Sequence, residues 1–202
     1  MLLFGILQLF SLTVTVTCKF KMMITYGTPE DFIDSVITEV SWDQCVTGCL
    51  EDTMCMIIDS KTCLTQSSAN TTCQSYGGLL SGPETSEEYQ FMYDKSLKIW
   101  SQFSKITKHA TYGFWMDGVR WCTAVAPVCT GTNEFKFSDP TLSAVPGGYL
   151  WQKNQPARDG TCIALRINPS QDNPSGMDDC GCTITGNSNT CMRGYVCGVA
   201  PR

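Results

Sequence analysis

The sequence predicts an α+β fold: two helices against small antiparallel sheets, a long loop region and a dense set of disulfides. Three observations predict it. Apolar side chains recur at helical spacing behind a capping box at Thr85-x-x-Glu88. Further on, Phe135-Lys136-Phe137 and the series Ile163, Leu165, Ile167 alternate with the period of strands. Finally, 13 cysteines stand in 202 residues beside one histidine, with no Cys-x2-Cys spacing. That pattern points to bridges in an oxidising compartment rather than to zinc.

The elements follow in order. Residues 1–17 form a short apolar run (Leu2, Leu3, Phe4, Ile6, Leu7, Leu9, Phe10) that reads as a secretory signal peptide, cleaved after Cys18. The run contains Gln8, Ser11 and threonines and is too short and polar for a stable membrane span. Cleavage there leaves an even number of cysteines, as a fully bridged secreted protein requires. The chain ends shortly after Cys197, so no C-terminal anchor is expected. A net charge of −5 with both signs interspersed excludes a nucleic-acid footprint. Asn70-Thr71-Thr72 is a glycosylation sequon, whereas Asn168 and Asn173 are each followed by proline.

Two unequal parts emerge, residues 19–70 and residues 71–202, the second long enough for a full domain. In the first, Ile24-Thr25-Tyr26-Gly27-Thr28-Pro29 reads as a strand and turn. Ser41 caps a helix with Gln44 completing a capping box, which sets Cys45 and Cys49 on one face. In the second, Tyr89, Met92, Tyr93, Ser96, Leu97, Trp100 and Phe103 form the stripe of an amphipathic helix. Tyr112 to Val119 reads as a buried strand ending in a turn. Long Pro/Gly-rich loops lie between the later strands, and loops of that length usually carry function. Trp115 and Trp151 read as core, while Trp121, in a loop beside Cys122, is the candidate contact aromatic. Cys122–Cys129 would close a small surface loop. His109 reads as a solvated helix-end residue. No Gly-x-Ser-x-Gly turn accompanies it, so no enzyme is expected.

Residues 41–50 resemble the start of the PAN-3 (CW) module of nematode secreted proteins, here cut short after Cys63. That resemblance implies nested bridges, Cys49–Cys55 inside Cys45–Cys63. The stretch Cys73-Gln74-Ser75-Tyr76-Gly77-Gly78-Leu79-Leu80-Ser81 resembles the first helix and turn of a C-type lectin-like domain. Its second half is matched by Tyr149-Leu150-Trp151, Gln155-Pro156-Ala157, Cys162 to Leu165, Asp178-Asp179 and Gly194 to Gly198. The family's first strand is not found before Cys73; it is either lost or replaced near Met56-Ile57-Ile58.

The resemblance implies a bridge Cys73–Cys197. Cys162 has Cys180, Cys182 or Cys191 as partner, and the family spacing after the carboxylate pair favours Cys162–Cys182, with Cys180–Cys191 as an added clip. Sequence alone does not fix connectivity. The resemblance also implies a site for calcium and sugar whose remnant is Gln155, a cis Pro156, Asp178 and Asp179. Ala157 stands where a second oxygen donor is expected, and Gly160 where an acid is expected. Asp159 and Asp172 lie nearby without being placed by the motif. Calcium takes about 6–8 oxygen ligands, so the depleted set implies weak calcium binding at most, and no cofactor is expected. The function so implied is secreted, non-enzymatic recognition of an extracellular glycan or protein surface. A calcium-dependent lectin and a structural or adhesive extracellular protein are the alternatives.

Overall fold

The computed structural model describes residues 22–23, 56–58, 63–75, 77–103, 109–122, 129–169, 175–187 and 189–198. The expected signal peptide, the helix beginning at Ser41, the bridge Cys49–Cys55 and Asp172 lie outside the described residues.

Chain order gives strands β1 (Met22–Met23) and β2 (Met56–Ile58), helix α1 (Gln66–Ser75), β3 (Leu79–Leu80) and helix α2 (Ser86–Phe103). Strand β4 (Thr111–Arg120), a 3-10 turn (Gly131–Glu134), β5 (Phe135–Lys136), β6 (Cys162–Ile167), β7 (Gly176–Cys180) and β8 (Thr190–Gly198) follow. The strands form one sheet with central order β1-β8-β4-β6-β7. Strands β4 and β8 run parallel, while β4–β6 and β6–β7 are antiparallel. The fold is thus α+β, with two helices against the sheet among the described residues.

Alternation along the strands separates two cores. Tyr112, Phe114 and Met116 of β4 and Ile163, Leu165 and Ile167 of β6 face α2, meeting Tyr89, Met92 and Ile99. Trp115, Cys162 and Ala164 face the other way, toward Ala69 and Cys73 of α1. Odd and even positions split between the two sides because strand side chains alternate. Strand β8 breaks this rhythm: Gly113 pairs with Met192 but Phe114 with Gly194, leaving Arg193 as an inserted bulge residue. Met192 and Tyr195, three residues apart, consequently face the same core.

Helix α2 begins as the sequence predicts. The Thr85 hydroxyl accepts from Glu88 N at 3.2 Å, and Glu88 Oε2 accepts from Thr85 N at 3.3 Å. Its buried line is Tyr89, Met92, Ser96 and Ile99, centred slightly off the expected stripe. Trp100 sits at the flank, where its Nε1 donates to Ala110 O at 2.8 Å.

Strand β2, at Met56-Ile57-Ile58, pairs antiparallel with Gly194 to Val196 of β8. Further along, Leu64 N donates to Met192 O at 2.8 Å, and the Trp115 indole donates to Leu64 O at 2.8 Å. Helix α1 then runs straight across the expected 70/71 boundary.

Two expected bridges are corrected. Cys63 is bonded to Cys191, not to Cys45. The backbone bond between Leu64 and Met192 brings those two cysteines side by side, with Cα atoms 5.3 Å apart. Cys180–Cys191 does not form either, because β4 and β6 lie between β7 and β8. Three strand spacings are about 14 Å, whereas a disulfide needs Cα atoms within about 7 Å. Cys180 is a buried free thiol. Cys73 is joined to Cys197, Cys162 to Cys182 and Cys122 to Cys129.

Candidate functional site

The loop from Leu150 to Gly160 lies against the outer strand β7. Gln152 N donates to Met177 O at 3.0 Å, Met177 N to Leu150 O at 2.9 Å and Thr161 N to Cys180 O at 3.1 Å. The edge of the sheet is therefore covered rather than open. Within the loop the Gln155–Pro156 peptide is cis, and Asn154 and Arg158 hold left-handed backbone at φ 67° and 68°. The Gln155 side-chain oxygen turns back onto its own loop and accepts from Ala157 N at 2.6 Å.

Asp179 anchors this loop. Its Oδ1 accepts from Ala157 N at 2.6 Å, and its Oδ2 accepts from Gly160 N at 3.0 Å and from Arg120 Nη2 at 2.6 Å. Arg120, at the end of β4, also pairs with Glu134 Oε2 and donates through Nε to Gly160 O at 3.1 Å. Arg158 Nε approaches the same Glu134 oxygen at 3.3 Å, and its Nη2 donates to Cys129 O at 2.9 Å. Two buried carboxylates, Glu134 and Asp179, are thus balanced by two guanidinium groups. The Arg120 guanidinium rests 4.8 Å from the centre of the Phe135 ring.

Asp178 does not join Asp179. Adjacent strand residues face opposite sides of a sheet, and Asp178 meets Arg166 Nη1 at 2.6 Å instead. Its Oδ1 is buried without a hydrogen-bond partner. Burial pushes the Asp178 carboxyl above the usual carboxylate range, Arg166 opposes the rise, and Asp159 and Asp179 add to it. The expected remnant is therefore corrected: Gln155, Pro156 and Asp179 come together, and Asp178 stands apart.

Gly160 has a steric reason to lack a side chain. A Cβ there would lie 2.1–2.3 Å from the backbone of Cys180. No acid fits at this position, and the exposed Asp159 beside it is not drawn in. Among the described residues no group of three or more His, Cys, Asp or Glu side chains is poised to hold a metal ion.

Arg120, Glu134 and Arg158 were not singled out from the sequence. The faint signal was an acid directly before the alternating Phe135-Lys136-Phe137. A second buried carboxylate also escaped notice. Asp117 accepts from Gly118 N, Ser138 N, Ser138 Oγ and Asp139 N at 2.6–2.9 Å, tying the loop after β5 to β4. Burial raises its pKa, and these hydrogen bonds counter the rise.

The aromatic residues divide as expected. Trp115 is fully buried, and Trp151 is half-buried, stacked on Phe135 at 5.3 Å with its Nε1 donating to Thr132 Oγ1. Tyr149 is buried and donates to Asp117 O at 2.8 Å. Trp121 is 56% exposed. His109 is half-buried ahead of β4, with its Nδ1 buried and lacking a hydrogen-bond partner, rather than solvated. Asn70 is half-buried in α1, where its Oδ1 accepts from Leu80 N at 3.2 Å.

Residues 22–77 match the PAN-like domain family. That match covers β1, β2 and α1 and includes Cys63 and Cys73. No curated protein matches the chain in sequence. Among solved structures, the C-type lectin domain of murine dendritic cell inhibitory receptor 2, in complex with N-glycan, shows TM-score 0.45 and 16% identity over 72% of this chain and 89% of that one. A calcium-independent type II antifreeze protein shows TM-score 0.42 and 18% identity over 73% and 87%. SPL-1 in complex with GlcNAc shows TM-score 0.44 and 18% identity over 71% and 85%. No helix among the described residues is long and apolar enough to cross a membrane.

Proposed function

We propose that this chain is a secreted, non-enzymatic recognition protein of the C-type lectin-like class, binding an extracellular glycan or protein surface through its loop region without strong calcium dependence. In this reading residues 1–18 are the leader, and the PAN-like segment from residue 19 leads into the lectin-like body. The bridges support an extracellular address, since such a set persists in oxidising compartments.

One observation carries the calcium part: the Asp179, Gln155 and Glu134 side chains gathered at the cis-proline loop already accept from protein donors. Asp179 is held by Arg120 and three backbone amides, Glu134 Oε2 by two guanidinium groups, and Gln155 by Ala157 N. A divalent ion entering here would displace those donors and sit beside two fixed positive charges. The arginines do the structural work of a cation, neutralising the carboxylates and fixing the cis-proline loop.

The test is a glycan array probed with the secreted protein, once with chelator and once with millimolar calcium. Equal signals in both arms are expected. A signal that disappears with chelator and returns with calcium overturns the calcium-independent reading, and silence in both arms overturns glycan recognition.

A further inference from the structure

Phe135 also lines a cleft of about 470 Å³, within the range of about 300–1,000 Å³ typical of small-ligand sites. Phe137, Pro140, Leu142 and Val145 supply its apolar wall, and Asn133, Lys136 and Ser143 its polar part. Trp121 stands at its edge. The indole is exposed yet held in place: its Nε1 donates to Asn133 O at 3.2 Å, its backbone N donates to Glu134 O at 3.0 Å, and the Lys136 ammonium lies 4.8 Å from its ring centre. A large aromatic ring fixed by backbone bonds and left in water is a ready stacking platform.

Of the two charged side chains that line the cleft, Lys136 is exposed and Asp139 is buried. Lys136 forms no ion pair among the described residues. The one lining carboxylate, Asp139, is 4% exposed. Its Oδ2 accepts from Ser81 Oγ at 2.5 Å and its Oδ1 from Thr141 N at 2.8 Å, so it serves the fold. Glu84 reaches Ser143 N at 2.8 Å but does not line the cleft. The charge left for a ligand is the lysine's.

We propose that this cleft binds a sugar residue bearing a carboxylate. The apolar face of the pyranose stacks on Trp121, its hydroxyls meet Asn133 and Ser143, and its carboxylate pairs with Lys136. A sugar fits better than an apolar peptide because polar and apolar groups are interleaved around one flat ring. The site is separate from the cis-proline loop, and the inference rests on the glycan-recognition reading above.

Calorimetric titration of the secreted protein in chelator, with trigalacturonic acid and with neutral galactotriose, tests it. The acidic trisaccharide is expected to bind roughly tenfold more tightly than the neutral one. Trp121→Ala should weaken both by roughly tenfold or more. Lys136→Gln should erase the preference for the acid, and Lys136→Arg should keep it. Both side chains are exposed, so unchanged unfolding midpoints should show that the variants fold. Equal affinity for the two sugars, an unaltered preference in Lys136→Gln, or no binding of the acidic sugar by protein that is active on the array overturns this inference alone. Silence on the array overturns the reading beneath it.

Discussion

Arg120 Nη2 lies 2.6 Å from Asp179 Oδ2, joining the end of β4 to the outer strand of the sheet. The Asp179 side chain is 0% exposed and that of Arg120 9%, so both charges have lost most of their water. Removing one partner strands the other, and breaking such a buried pair costs about 3–5 kcal/mol. Arg120→Met should destabilise the protein by that order in urea unfolding. Adding Asp179→Asn to the same chain should recover part of the loss, because the orphaned charge is gone. A loss below about 1 kcal/mol for Arg120→Met would show that the network contributes little.

Gly160 occupies a position where the strand behind it leaves no room. A Cβ would fall 2.1–2.3 Å from Cys180 backbone atoms, and neither segment can yield without breaking the Thr161 N to Cys180 O bond. Gly160→Ala should lower stability by at least about 1–3 kcal/mol. Thermal unfolding at neutral pH measures it, and an unchanged midpoint would mean that the loop shifts freely.

The bridges Cys63–Cys191 and Cys73–Cys197 span 128 and 124 residues, but they lie next to each other in the fold. With one closed, the other encloses only the short paths from 63 to 73 and from 191 to 197. Losing either one alone should cost about 3 kcal/mol, the value for a loop of about 15 residues. Losing both should cost nearly 5 kcal/mol more, since the long loop then opens. Serine pairs at each bridge, compared with the quadruple variant by denaturant unfolding, give the two steps.

Asp178 binds its proton more tightly in the folded chain than in the unfolded one, chiefly because it is buried. Its contribution to stability is therefore fully present below the unfolded carboxyl value of about 3.9 and is lost as pH rises through the folded value. The Asp178→Asn variant lacks this dependence. Its stability relative to the native chain should rise with pH across the acidic range from about pH 4 upward, measured by urea unfolding at several pH values. A constant difference would place the folded value no higher than the unfolded one.

The Cys180 thiol is pushed up to about 12, first by burial and then by the Asp178 carboxylate. Alkylation requires the thiolate, so the native protein at pH 8 should leave Cys180 unlabelled by iodoacetamide while the unfolded protein labels it. Peptide mass spectrometry reads the difference. Rapid native labelling would mean an opened β7.

Residue order alone determined the local parts of this protein. The capping box at Thr85 and Glu88, the odd–even division of β4 and β6, and the turn at Gln155-Pro156 are encoded within a few residues, where spacing dictates which way a side chain points. The same periodicity separates Asp178 from Asp179, since neighbours in a strand face opposite ways. What only the tertiary structure decided is who meets whom across distance. Arg120, Glu134, Arg158 and Asp179 come from four separate segments and meet because the sheet order sets β7 next to β6 and two strands from β4, within reach of the long Arg120 side chain. That order also separates Cys180 from Cys191, while the Leu64–Met192 backbone bond delivers Cys63 to Cys191. Periodicity specifies a direction at each residue; the partner waiting there depends on how remote strands stack, and no short window of sequence carries that.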